Sequence, residues 1–288
     1  MSLKLKTKNN ISAIITGGAN GLGLEFCKSL ASDGYNIVII DINEKNIIET
    51  SSFINNNFDV TCEGLVADVT DYDNCLACYQ KIIEKFSNPL ILVNNAGIMQ
   101  HEINESEKLP IDHFDEMINV HVKGAMIWNK ISLPLMKKFK FGRIINISSF
   151  MGLVGSPHRL NYVTAKAALI GLTRSLAVET ARYGITVNAV APGFVLTNTL
   201  KKRAKSGLLD AETIANRTPV GRWANPIEVS RVISFLVKKE SSYITGIVLP
   251  IDGGISIGLD LGENIGTINE SFLNQRKEIM DCELWQTK

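Results

Sequence analysis

Tyr162 and Lys166 lie four residues apart in the small, apolar stretch NYVTAKAALIG. On a helix that spacing stacks the two side chains one turn apart on the same face. A phenol has an unperturbed pKa of about 10, and a neighbouring ammonium favours its ionised form. Ala165, Ala167 and Ala168 are small enough to let a cofactor or a sheet come close. The pair is therefore a candidate acid–base unit, although a Tyr and a Lys at this spacing also form ordinary surface pairs. A hydroxyl that would orient a substrate oxygen is available nearby, from Ser148 or Ser149 at the end of GRIINISS. Such a unit suits hydride exchange with a nicotinamide cofactor, where the protein must handle one proton at an alcohol or carbonyl oxygen.

A second group of residues speaks for that cofactor. TGGANGLG, from Thr16 to Gly23, stands between an apolar strand and a helical pattern. Glycines there turn the chain tightly and let backbone approach a pyrophosphate, while the helix N-terminus offers unpaired amides. Asp41 follows Gly23 by 18 residues and ends the next apolar run. A carboxylate there accepts the two hydroxyls of an adenosine ribose and repels a 2′-phosphate. Position 20 is Asn rather than Arg, and Ile42 follows Asp41, so no arginine is placed to hold that phosphate. These features favour NAD over NADP. Asp68, at the next strand end, is placed to touch adenine, and NNAG (Asn94 to Gly97) closes a fourth strand.

The elements that must position these groups alternate regularly. Apolar strands are expected at SAIIT, YNIVIID, TCEGLVADV, PLILVNNAG, GRIINISS, ITVNAVAPG and GIVLPIDGG. Helical patterns lie between them at 20–32, 44–56, 71–86, 112–139, 161–183 and 226–238, with Pro134 expected to bend or divide the long fourth one. The polar segment 197–217 reads as mostly helical and as a movable flap. The strands are apolar without alternation, as in sheets covered on both faces. The fold expected is α/β: a doubly wound, mostly parallel sheet with helices on both faces, the Rossmann arrangement. Residues 1–255 form one catalytic domain, and 256–288 form an extension packed on the body or on a neighbouring subunit, so that removing 261–288 changes oligomer size or Michaelis constant.

Composition narrows the class of partner. The 288 residues carry a formal net charge of +1, and the basic residues form no long run. Nothing favours nucleic acid or an anionic membrane over a small-molecule substrate. LKLKTK near the start reads as a solvated arm or an edge strand. No run of eighteen apolar residues is present, nor a signal-peptide core, so a cytoplasmic location is expected. The five cysteines fit a reducing compartment, and Cys75 and Cys78 lack the second pair or histidine that a zinc site needs. His101, His113 and His121 are scattered, and no metal site is expected. His158 and Arg159 either stand in a solvated loop or bind a substrate carboxylate or phosphate.

Together, TGGANGLG, NNAG and YVTAK resemble, in order and spacing, the short-chain dehydrogenase/reductase family in its compact single-domain form, over about residues 9 to 255. The resemblance implies that Tyr162 transfers the proton, that Lys166 holds the nicotinamide ribose and lowers the tyrosine pKa, and that Ser149, thirteen residues before the tyrosine, bonds the substrate oxygen. It also implies that Asn119, in MINVHVKG, supports a proton relay through water. Cofactor contacts are implied from Thr16, Gly17, Asn20, Gly21, Leu22 and Gly23 in the glycine turn. Further contacts come from Asp41, Ile42, Asp68 and Val69, and from Asn95, Ala96 and Gly97. The last come from Lys166, from Pro192, Gly193 and Val195 in the loop past the nicotinamide, and from Thr197 on the carboxamide. A homotetramer is implied, or a homodimer, with the helix bearing YxxxK packed on its copy; the face Leu169, Leu172 and Leu176 suits that contact or an internal core.

The reading that results is an NAD-dependent oxidoreductase of a secondary alcohol or its ketone, with Tyr162 as acid and base. The alternatives are an NADPH-dependent 3-oxoacyl-carrier-protein reductase, which the glycine-rich body resembles and Asp41 opposes, and a nucleotide-binding regulatory protein without turnover.

Overall fold

The computed structural model of the chain describes residues 11–86, 88–100, 105–207 and 210–258. The N-terminal arm, His101 and nearly all of the C-terminal extension lie outside the described residues. Seven strands, β1 (Ser12–Thr16), β2 (Asn36–Asp41), β3 (Cys62–Val66), β4 (Pro89–Asn94), β5 (Gly142–Ile147), β6 (Ile185–Pro192) and β7 (Val248–Ile251), form one sheet in the order β3-β2-β1-β4-β5-β6-β7. Every pairing is parallel. β1, β4, β5 and β6 are buried along their whole length, which is why their sequences show no polar alternation.

Helices cover both faces. α1 (Gly21–Ser32) packs on α9 (Pro226–Leu236) and on α2 (Glu44–Asn57). On the other face lie α3 (Tyr72–Lys85), α4 (Ile111–Ile118), α5 (Gly124–Phe139) and α6 (Leu160–Thr180). The segment after β6 carries two short helices, α7 (Asn198–Lys205) and α8 (Ala211–Arg217), in keeping with the helical reading of the polar stretch 197–217. The strand order reverses between β1 and β4, so the chain leaves the sheet in opposite directions there. In open parallel sheets a crevice opens at the carboxyl ends of two such strands.

The long helical stretch is interrupted, but not at Pro134. Pro134 does not divide it, because α5 runs through that position. Burial of Trp128, Ile131 and Met136 on the same helix, at about 1.5–3 kcal/mol each, outweighs the proline penalty of about 3 kcal/mol. The interruption lies earlier, where Asn119–Lys123 forms a π turn between α4 and α5. Such turns insert a residue into the helix and often mark functional positions.

A buried amide chain joins the two halves of the sheet to α6. Asn94 Nδ2 donates to Asn129 Oδ1 (3.0 Å) and to Asn146 Oδ1 (2.8 Å), and Asn146 Nδ2 donates to Thr173 Oγ1 (2.8 Å). Side chains from β4, α5, β5 and α6 are thereby held in one register, and α6 is fixed against the sheet.

Candidate active site

The glycine turn is shaped by packing as much as by any ligand. A Cβ at Gly23 would lie 2.0 Å from the Gly17 carbonyl oxygen, and one at Gly17 would lie 2.9 Å from Ala96 Cα. Gly21 differs: its φ is +55°, a region that favours glycine, and an added Cβ would meet nothing within 4 Å. Here the backbone faces open space at the first turn of α1, where amides lack intrahelical partners. Asn20 caps that helix, its side chain accepting from Gly21 N at 2.7 Å.

Asp41 braces the same turn from the end of β2. Its carboxylate accepts from Ala19 N and from Asn43 N, both at 3.1 Å. Asn95 anchors the fourth strand end by donating to Thr16 O (2.9 Å) and Gly17 O (3.0 Å). Thr16 was expected to touch a cofactor, and its placement corrects that: it is buried, and its Oγ1 accepts from Asn95 N and Ala96 N. The side chain is consumed in tying β1 to β4 and does not line the cleft.

A cleft of about 660 Å³ runs from this turn across the sheet. Gly17, Asn20, Gly21, Leu22, Gly23, Asp41 and Ile42 line one end. Asp68 and Val69, past the end of β3, line it beside Asp41, Asn95 to Gly97 line it past β4, and Pro192, Gly193, Val195 and Thr197 line it past β6. Ser149, Tyr162 and Lys166 line the far end. Thr197 also caps α7, accepting from Leu200 N at 3.3 Å.

At the far end the two serines separate. Ser148 Oγ donates to the Lys166 carbonyl at 2.8 Å and so pins α6 to β5. Ser149 favours the ionised form of the Tyr162 phenol, while its Oγ accepts from Met151 N at 3.2 Å. Lys166 is 5 % exposed. Its Nζ donates to Ile147 O at 2.9 Å and stands 5.6 Å from the Tyr162 ring centroid. Burial pulls the Lys166 ammonium down to about 7.

The direction for Tyr162 is opposite to the one the resemblance implies. Burial of the hydroxyl pushes the phenol above its ordinary value, and Ser149 and Arg159 work against that rise. Desolvation wins because a buried phenolate loses more from water than one hydroxyl and one guanidinium return.

Asn119 does not reach this group. It is exposed and is not among the residues lining the cleft. His121 stands there instead, buried, with its ring edge-to-face on Tyr162 at 5.9 Å between centroids. Its Nε2 lies 3.2 Å from Ile98 N and 3.0 Å from Ile98 O, and its Nδ1 is buried without a hydrogen-bond partner among the described residues. Burial first, and the nearby Lys166 charge second, lower the imidazole to about 3, against the Ile98 contact, so it is neutral across the physiological range. A helical signal for this was present: Met117, His121, Ala125 and Trp128 recur at three- and four-residue steps and are all buried. Asn119 falls two residues from both Met117 and His121, on the opposite side.

Arg159, one of the two candidate anion-binding residues, lines the cleft, whereas His158 is exposed outside it. The His158 carbonyl accepts from Gln100 Nε2 at 2.9 Å. The thiols of Cys75 and Cys78 approach the carbonyls of Asp68 (3.2 Å) and Val66 (3.8 Å). Leu169 is buried and Leu176 packs on the core, whereas Leu172 between them is half-buried and outside that core.

Comparison with known proteins agrees with this geometry. Residues 17–256 match the family model described as enoyl-(acyl carrier protein) reductase. The chain is 37% identical over 254 residues to the 3-oxoacyl-[acyl-carrier-protein] reductase FabG of Thermotoga maritima, an alignment covering 85% of this chain and 97% of that protein. Among solved structures, ElxO with NADP bound shares 34% identity at a TM-score of 0.80, over 85% of this chain and 98% of that one. NAD+-bound xylitol dehydrogenase shares 29% identity at a TM-score of 0.81, over 86% of this chain and all of that one. With the parallel sheet, the glycine turn and the cleft in place, the chain belongs to the short-chain dehydrogenase/reductase family, as an NAD(P)-dependent oxidoreductase built on a single Rossmann domain and related to the 3-oxoacyl-carrier-protein reductases.

Proposed function

We propose that this chain transfers hydride between NAD(H) and a secondary alcohol or its ketone, with Tyr162 exchanging the proton. The observation that carries the reading is one continuous cleft with the Gly17–Gly23 turn and Asp41 at one end and Ser149, Tyr162 and Lys166 at the other. The open space beside Gly21 at the first turn of α1 fits a pyrophosphate. Asp41 favours a free ribose 2′-hydroxyl, hence NAD. Bound there, the nicotinamide gives or takes hydride.

The chain's own groups handle the rest. Ser149 orients the substrate oxygen beside the Tyr162 hydroxyl. Burial keeps that phenol protonated at neutral pH, which suits donation to a carbonyl oxygen. In the reverse direction Ser149 and Arg159 favour the phenolate that must accept the proton. Lys166, held on Ile147 O, is half-charged near neutrality and is the proton-exchanging neighbour of the tyrosine. His121, rather than Asn119, packs against the reactive pair.

A homotetramer fits the surface. Val178 on α6 is 83 % exposed and Tyr243, before β7, is fully exposed. Apolar groups this open on the YxxxK helix and beside an edge strand suit copies of the same chain. Among the described residues no helix is long and apolar enough to cross a membrane. The free thiols of Cys27, Cys62, Cys75 and Cys78 fit the reducing cytoplasm.

The test is a panel of alcohols and ketones assayed with NADH, NADPH and their oxidised forms, comparing the natural chain with Tyr162→Phe. Turnover abolished by Tyr162→Phe, with NADH affinity kept, is expected. Saturable cofactor binding without turnover on any panel member would move the chain to a regulatory binding role. The second reading, an NADPH-dependent 3-oxoacyl-carrier-protein reductase, is favoured by the 37% identity to the Thermotoga maritima enzyme. Tighter binding of NADPH than NADH would select it.

A further inference from the structure

Two guanidinium groups share the substrate end of the cleft with Tyr162. Arg159 and Arg203 both line it. Arg159 is the residue that opens the 21-residue helix α6, three positions before Tyr162, and its side chain makes no cap hydrogen bond. A cation at a helix N-terminus faces the positive end of the helix dipole. Arg203, on α7, has Nη1 3.8 Å from Met99 Sδ, and its Nε is buried with no hydrogen-bond partner among the described residues. Among the described residues, no carboxylate forms an ion pair with either arginine, including the cleft-lining Asp41 and Asp68. Burial, and then the charge of Arg203, lower the Arg159 guanidinium from its ordinary value, so the two cations feel one another.

Like charges, partial burial and a helix N-terminus are three costs at one place, and one bound anion relieves all of them. We infer that Arg159 and Arg203 bind an anionic group of the substrate, a carboxylate or a phosphate ester, carried a few bonds from the carbon that exchanges hydride. Arg159 stands at the N-cap three residues before Tyr162 and its charge favours the Tyr162 phenolate, so the anion lies near the phenol. Guanidinium forks suit both anions, since each presents two oxygens to parallel N–H groups. The inference rests on the oxidoreductase reading above and names the substrate class of that same site.

The test uses matched ketones with the full chain and NADH: acetoacetate against methyl acetoacetate, and dihydroxyacetone phosphate against dihydroxyacetone. The anionic member of one pair is expected to show kcat/KM about tenfold or more above its neutral partner. The pair that shows the gap identifies carboxylate or phosphate. Arg159→Gln and Arg203→Gln should close that gap by raising KM, with NADH affinity by fluorescence unchanged. Equal or better turnover of the neutral members in both pairs overturns the inference. So does a loss of NADH affinity in the arginine variants, which would assign the guanidiniums to cofactor phosphates. If none of these four ketones turns over, the anion site is still read directly. Acetoacetate and dihydroxyacetone phosphate are then titrated by calorimetry into the protein–NADH complex. Binding that weakens about tenfold in either arginine variant supports the site, and heat that is absent or independent of the arginines removes it.

Discussion

His121 and Tyr162 meet edge to face, 5.9 Å between ring centroids at an interplanar angle of 89°. The imidazole is fixed behind by the Ile98 backbone, and Gly97 makes room for it, since a Cβ at Gly97 would lie 2.3 Å from His121 Cε1. The histidine thus backs the phenol only while it remains neutral and packed.

That contact carries the first prediction. The folded-state value of His121, about 3, lies below its ordinary 6.5. Between those two values the unfolded chain binds the extra proton, so stability falls as pH drops from 6.5 toward 3. His121→Leu should flatten this loss in urea titrations at pH 4 to 7. It should also lower kcat about tenfold by loosening the position of Tyr162. A slope and a kcat equal to those of the natural chain would show that His121 neither titrates nor positions.

Lys166 gives the second, at higher pH. Its folded value of about 7 lies below its ordinary 10.5, so the folded state sheds a proton that the unfolded chain keeps. Stability should rise as pH increases from 7 to 10.5, with a limiting slope of about 1.4 kcal/mol per pH unit. Lys166→Met should remove this rise and abolish turnover. Denaturation midpoints at pH 6.5 and 9.5 read it: the variant's relative stability must fall between them.

Asp41 tests the cofactor assignment. Asp41→Ser removes the charge that would repel a 2′-phosphate, so NADPH affinity should improve about tenfold relative to NADH. Fluorescence titration of both nucleotides measures the ratio. An unchanged ratio would mean that the carboxylate serves only the Ala19 and Asn43 amides.

Asn146 tests the frame beneath the site. Asn146→Ala leaves the Asn94 amide and Thr173 hydroxyl without this partner in the core. A loss of about 2–4 kcal/mol is expected from such orphaned buried groups, read by chemical denaturation. Because α6 is held through Thr173, kcat should fall with it; a stability loss below about 1 kcal/mol would show that the amide chain is not a brace.

The sheet, its covering helices, the glycine turn and the Tyr162/Lys166 pair were legible in the residues alone. Strands buried on both faces read as unbroken apolar runs, and a turn joining strand to helix shows its glycines. Local periodicity also contained His121, at a helical step from Met117, but the resemblance drew attention to Asn119 two residues away. Thr16 and Pro134 were readable as residue types without their settings, because inward hydrogen bonding by one and burial around the other depend on distant strands. The directions of Tyr162 and Lys166 were out of reach for the same reason. Spacing along a helix states which charges are neighbours, whereas a pKa also depends on how much water the whole fold removes. The pairing of Arg159 with Arg203, on segments more than forty residues apart, likewise exists only once the chain has closed around the cleft.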